Sequence, residues 1–141
     1  MVLLLNKKFM SKNPVVHFEM PYEDAKRINK FYTQAFGWSM QQFGPEMGDY
    51  IIAQTAETDE NNMVKTPGTI NGGLFPKKQD GPLVPSVVIS VANIKKAMLD
   101  VTNAGGTVLG EPVEIPGIGQ YVSFKDTENN RVSLLQPTKV Q

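Results

Sequence analysis

The chain has 141 residues, with 14 Lys and Arg against 14 Asp and Glu, one His and no Cys. Balanced charge leaves no broad field to draw in nucleic acid or an anionic membrane. The missing cysteines remove disulfides, thiolate catalysis and thiolate metal sites together, and agree with a cytoplasmic location.

Met1-Val2-Leu3-Leu4-Leu5 is apolar but too short for a signal-peptide core, and no other run approaches a membrane span. Residues 1–12 are therefore expected to be an N-terminal extension, with the fold starting at Asn13. A strand is predicted over Pro14 to Met20, then a turn at Pro21-Tyr22-Glu23-Asp24, then a helix with Ala25, Ile28, Phe31, Tyr32, Ala35 and Phe36 on one apolar face. Gly37 is placed to stop that helix as a C-terminal cap. Strands follow at Trp38 to Phe43, Asp49 to Thr55 and Thr69 to Phe75, with Glu57 to Pro67 reading as a loop.

After a linker at 77–83 the order returns: a strand from Val84 to Val91, then a helix through Ile94, Ala97, Met98, Val101 and Ala104 that ends at Gly105-Gly106. Strands near Thr107 to Val113, Gln120 to Lys125 and Arg131 to Gln136 complete it, separated by Pro116-Gly117 and Glu128-Asn129-Asn130 turns. The chain thus carries an internal repeat, which predicts an α+β fold of two tandem βαβββ modules, 13–76 and 84–137. Their sheets are expected to form one domain with a cup-shaped cleft. Alternation along the first strand sends Val16, Phe18 and Met20 toward the helix, and His17 and Glu19 into the cleft.

The phrases His17-Phe18-Glu19-Met20-Pro21, Phe36-Gly37-Trp38, Ile70-Asn71-Gly72-Gly73-Leu74, Ile115-Pro116-Gly117-Ile118-Gly119 and Phe124-Lys125-Asp126-Thr127-Glu128-Asn129-Asn130 occur in this order. In that order the chain resembles the vicinal oxygen chelate superfamily: lactoylglutathione lyase, bleomycin-resistance proteins and extradiol dioxygenases. The resemblance runs from Asn13 to Pro137 and points to the glyoxalase-related branch. It implies a divalent ion in the cup of metal-using members, held by residues of the first and last strand of each module. By the repeat, the four corner positions are His17, Gly72, Val88 and Ser133. Only His17 is an ordinary ligand, and such an ion needs at least three good donors. No cofactor is therefore predicted, and Glu19 is the one substitute donor in reach.

His17 and Glu19 are the candidate catalytic pair, able to exchange a proton near neutral pH. Trp38, Tyr50 and Tyr121 are candidates for aromatic walls around a flat organic ligand. Ser90, Arg131 and Ser133 share the cleft parity and could hydrogen-bond a carboxylate or carbonyl. Asn71-Gly72-Gly73 is no phosphate loop, since no helix follows it. The expected function is metal-independent binding of a small organic molecule, with proton transfer by His17 or Glu19. Three alternatives stand beside it: a divalent-metal lyase or isomerase related to lactoylglutathione lyase, antibiotic sequestration, and a non-catalytic dimeric module. A homodimer is expected, with no nucleic-acid or membrane partner.

Overall fold

A computed structural model describes residues 12–138; most of the expected N-terminal extension lies outside that range. In chain order the elements are β1 (Val15–Tyr22), α1 (Ala25–Phe36), β2 (Ser39–Gln42), a 3-10 turn (Pro45–Met47), β3 (Ile51–Gln54), β4 (Asn71–Pro76), β5 (Ser86–Ser90), α2 (Ile94–Asn103), β6 (Thr107–Val108), β7 (Val113–Ile115), β8 (Gly119–Lys125) and β9 (Arg131–Pro137). Among the described residues the architecture is α+β: two helices on a mixed nine-stranded sheet.

The helix ends follow from local chemistry. Asp24 caps α1 by accepting from the Arg27 N–H, and Gly37 closes it at φ 70°, a left-handed conformation that suits glycine. Asn93 caps α2 in the same way through the Lys96 N–H. Gln136 on β9 adds a bond from the Ile94 N–H to its Oε1 at 2.8 Å, which fixes the start of α2 against the sheet. The single strand expected from Thr107 to Val113 is instead two short pieces that both pair with β8. Gly110 between them turns at φ 110°, and Pro112 has no N–H to continue a ladder.

The strand order is β2-β3-β4-β1-β5-β9-β8-β6, with β7 also on β8. β1 runs parallel to β4 and β5 parallel to β9, while β1 and β5 are antiparallel to each other. The two repeats therefore meet along the β1–β5 seam as related halves of one sheet. Each half buries its own apolar cluster on the helix-bearing face. In the first half this is Tyr22, Ile51, Ala53 and Leu74, and in the second Val91, Ile94, Ala97, Val122, Phe124 and Leu134. Phe18 and Met20 pack on the first cluster, so strand alternation carries His17 and Glu19 to the helix-free face. That face holds the chemistry.

Candidate functional site

Cross-strand register brings the polar residues of five strands together. His17 pairs with Asn71 on one side and Val88 on the other; Val88 pairs with Ser133, and Ser133 with Ser123. One level along, Glu19 lies between Gly73 and Ser86. Residues directly opposite share a face, so these positions form two polar rows across the helix-free side.

Hydrogen bonds join His17, Glu19, Ser133 and Ser123 into one network through the hydroxyls of Tyr50 and Tyr121. The Tyr121 hydroxyl donates to Glu19 Oε1 at 2.6 Å, and the Tyr50 hydroxyl donates to Glu19 Oε2 at 3.3 Å. Tyr121 also meets Ser133 Oγ at 2.7 Å, and Ser133 Oγ meets Ser123 Oγ at 2.9 Å. His17 Nε2 lies 3.1 Å from the Tyr50 hydroxyl. A phenol has one proton. With both phenol protons directed to Glu19, Ser133 donates to Tyr121, Ser123 donates to Ser133, and His17 donates from Nε2 to Tyr50. Every bond then points toward the Glu19 carboxylate, which only an ionised acid can accept in full. This proton count leaves His17 Nδ1 as a free acceptor. Among the described residues His17 makes its ring hydrogen bond through Nε2, and Nδ1 has no partner there.

Burial tunes these groups in opposite directions. Glu19 is 8% exposed, and its desolvation raises the carboxyl above its ordinary value; the Tyr121 and Tyr50 hydrogen bonds and the Arg131 charge pull the other way. Burial lowers the His17 imidazole to about 4, so it is neutral at physiological pH. Burial, reinforced by the Glu19 charge, pushes the Tyr121 phenol up to about 12 and raises Tyr50 strongly as well. Both tyrosines therefore keep their protons as donors.

Two expectations need correction. Trp38 does not face this site: its ring stacks on Tyr32 of α1 at 4.5 Å and 8°, and it packs with Phe18 on the first core cluster. The parity of β2 decides this, because Met40 pairs with the buried Ala53 and Trp38 lies two residues before Met40. Gly72 is not a corner of the cup either. It pairs with Phe18, and a Cβ there would run into the Phe18 ring on the helix-bearing face. The position level with His17 on β4 is Asn71, one residue earlier.

The other candidates, Tyr50, Ser90, Tyr121, Arg131 and Ser133, lie on the helix-free side by alternation, Ser90 beside Leu135 and Arg131 opposite Lys125. Ser123 and Gly73 complete the site; Gly73 stands out in the sequence only within Asn71-Gly72-Gly73, and Ser123 does not stand out there. Ser123 is two residues beyond Tyr121 on the same strand, which is the signal that identifies it. Gly73 has a spatial role: a Cβ there would collide with the Tyr50 hydroxyl, so only glycine lets that phenol reach Glu19. The consecutive glycines thus admit one ring on each face, Phe18 over Gly72 and Tyr50 over Gly73.

The divalent ion used by some proteins of the resembling family does not fit this donor set. Asn71 Oδ1 is already taken by the N–H groups of Thr55 and Ala56 at 2.8 and 2.9 Å, Val88 offers no donor, and Ser133 is held in the hydroxyl chain. No group of three or more His, Cys, Asp or Glu suited to a metal occurs among the described residues. Two surface depressions, of about 590 Å³ beside α2 and about 470 Å³ beside α1, are lined by other residues than this network.

Comparison with known proteins places this geometry in context. The family model described as Glyoxalase/Bleomycin resistance protein/Dioxygenase superfamily matches residues 15–134. A glyoxylase-like domain-containing protein of Didymella fabae is 29% identical over 116 residues, covering 79% of this chain and 84% of that protein. Among solved structures, a methylmalonyl-CoA epimerase of Streptomyces coelicolor in complex with 2-nitronate-propionyl-CoA superposes with a TM-score of 0.68 at 14% identity, over 92% of this chain and 100% of that one. A hypothetical protein from Bacillus halodurans C-125 gives 0.65 at 15% identity, over 93% and 99%. At these identities the structural matches speak for the fold.

Proposed function

The chain belongs to the glyoxalase/bleomycin resistance protein/dioxygenase superfamily, and on that premise we propose that it binds a small carbonyl-containing molecule on its helix-free face and exchanges a proton there without a tightly bound metal. The observation that carries this reading is the Glu19 carboxylate, 8% exposed and held by the hydroxyls of Tyr50 and Tyr121. A carboxylate raised by burial is a stronger base than an ordinary one, which suits removal of a proton from carbon next to a carbonyl.

In the step envisaged, the C–H electron pair moves into the C–C bond and the carbonyl π pair onto oxygen, while the proton passes to Glu19. As Glu19 becomes neutral, it holds the phenol protons less strongly. One tyrosine O–H is then free to donate to the developing enolate oxygen, where a fixed donor is worth most. Returning the proton to either side of the carbon restores the base, giving an isomerisation or epimerisation. His17, neutral at working pH, positions Tyr50 from Nε2 and offers Nδ1 to the ligand. Homodimerisation and a cytoplasmic location belong to the same proposal.

The test uses chelator-stripped protein in deuterium oxide with a panel of acyl thioesters and 2-oxo compounds, following loss of the α-proton signal by NMR. Exchange by the native chain and its loss in Glu19→Gln are expected. Addition of Ni, Zn, Mn, Co or Fe(II) should leave the rate unchanged. Exchange that appears only with one equivalent of metal and vanishes in His17→Ala would overturn the metal-free reading.

A further inference from the structure

The second half of the helix-free face carries two cations directly opposite each other. Lys125 on β8 pairs with Arg131 on β9. Both share the face of Tyr121, Ser123 and Ser133, because Val122, Phe124, Val132 and Leu134 fill the opposite, helix-bearing side. Both are partly buried. The ion pairs among the described residues are Arg27–Glu23, Lys77–Glu23, Lys95–Glu111 and Lys96–Asp100, and neither Lys125 nor Arg131 takes part. Like charges directly opposite in a sheet repel and destabilise it, and no contact ion pair among the described residues offsets this; Arg131 feels the Glu19 carboxylate only at longer range.

The pair also has a defined position relative to Glu19. Glu19 is level with Ser86 across the β1–β5 seam, and the parallel β5–β9 register, Val88 to Ser133, carries that level two residues back to Arg131. Glu19 and Arg131 are therefore in one row two strand intervals apart, about 10 Å between backbones. The guanidinium is near enough to act on the Glu19 charge but forms no ion pair with it.

The geometry points to an anion anchor: Arg131 and Lys125 bind the carboxylate or phosphate of a substrate whose reactive carbonyl lies over Glu19. Arg131 supplies a planar fork of donors and Lys125 a second positive charge. A substrate spanning the two groups has an acidic group a few atoms from its carbonyl, as in a dicarboxylic half-ester or a phosphorylated oxo compound. This deepens the proton-exchange reading and rests on it for the reaction, while anion binding can be measured alone.

The experiment titrates malonate and inorganic phosphate into the full chain at constant ionic strength, read by calorimetry and by amide NMR shifts. Saturable binding is expected, weakened at least tenfold in Arg131→Gln and in Lys125→Gln but not in Lys95→Gln. Preference for malonate over phosphate identifies a carboxylate as the bound group, and the reverse identifies a phosphate. Removing one of two facing like charges should leave the Tm of the free protein level or higher, which separates lost binding from lost folding. Affinity unchanged in the Lys125→Gln/Arg131→Gln double variant overturns the anchor. Malonate bound through Arg131 with no α-proton exchange on any compound sinks the reaction and leaves the anchor standing. Exchange with malonate binding indifferent to both charges does the opposite.

Discussion

Acidification is the sharpest test of the site, because the protein has one histidine and that histidine is in it. Burial holds the folded imidazole at about 4, against 6.5 for an unperturbed one. The folded pKa is depressed, so between these values the unfolded chain binds the proton and the folded chain does not. Stability from this source is complete above pH 6.5 and is lost as pH falls through 4. The difference is about 2.5 units, and at 1.36 kcal/mol per unit the loss is about 3 kcal/mol, a large part of a small domain's stability. Glu19 opposes it: its folded pKa is raised, so protonating it as pH falls favours the folded state, and deprotonating it as pH rises favours unfolding. Asp126, held below its ordinary range by Asn130, adds an acid-side loss only below that range. Comparing the native chain with Glu19→Gln therefore isolates the histidine. The assay is the single imidazole Cε1–H signal followed from pH 8 to 3.5, with urea unfolding at each pH. A midpoint near 4 and a steeper acid loss of stability in Glu19→Gln are expected. A midpoint near 6.5 would mean that His17 is solvated, and the proton count built on its neutrality would fall with it.

Three further outcomes follow from the same contacts. Gly73→Ala places a methyl group where the Tyr50 hydroxyl lies and should cost about 1–3 kcal/mol by overpacking; adding Tyr50→Ala should recover much of that loss in a double-mutant cycle, and independent effects would refute the collision. Tyr121→Phe removes the 2.6 Å bond to Glu19, with an expected loss of about 1.5–3 kcal/mol at neutral pH and an upward move of the Glu19 carboxyl titration read by carbon-13 NMR; an unmoved titration would show that the phenol does not hold the charge. Leu74→Ala, at a position with 0% exposure in the first core cluster, should lower stability by about 2–5 kcal/mol in denaturant unfolding, and a loss below 1 kcal/mol would mean that the cluster collapses around the gap.

Much of this was legible along the chain, because some features depend on neighbours in sequence. Gly37 closes α1, Asp24 ends the turn that leads into it, and the alternation of Val16, Phe18 and Met20 with His17 and Glu19 separates the faces of β1. These follow from glycine conformation, capping chemistry and the two-residue period of a strand, all local rules. Trp38 and Gly72 went the other way because their faces depend on register with a strand distant in sequence. A shift of one residue exchanges the faces of a strand, and the internal repeat aligns β4 with β9 one residue away from their spatial match, which sets Asn71 level with His17 and Ser133 level with Val88.

The sequence by itself determined the repeat, the order of elements and the residues able to carry proton chemistry. Patterning, turns and composition act over a few residues and read directly. Only the tertiary structure decided that the hydroxyls of Tyr50 and Tyr121 converge on Glu19, that Gly73 makes room for one of them, and that Lys125 faces Arg131 across the β8–β9 ladder. Those contacts join residues as far as 102 positions apart. Cross-strand pairing set them, and burial, which exists only once both halves of the sheet have met, moved His17 and Glu19 from their ordinary proton affinities.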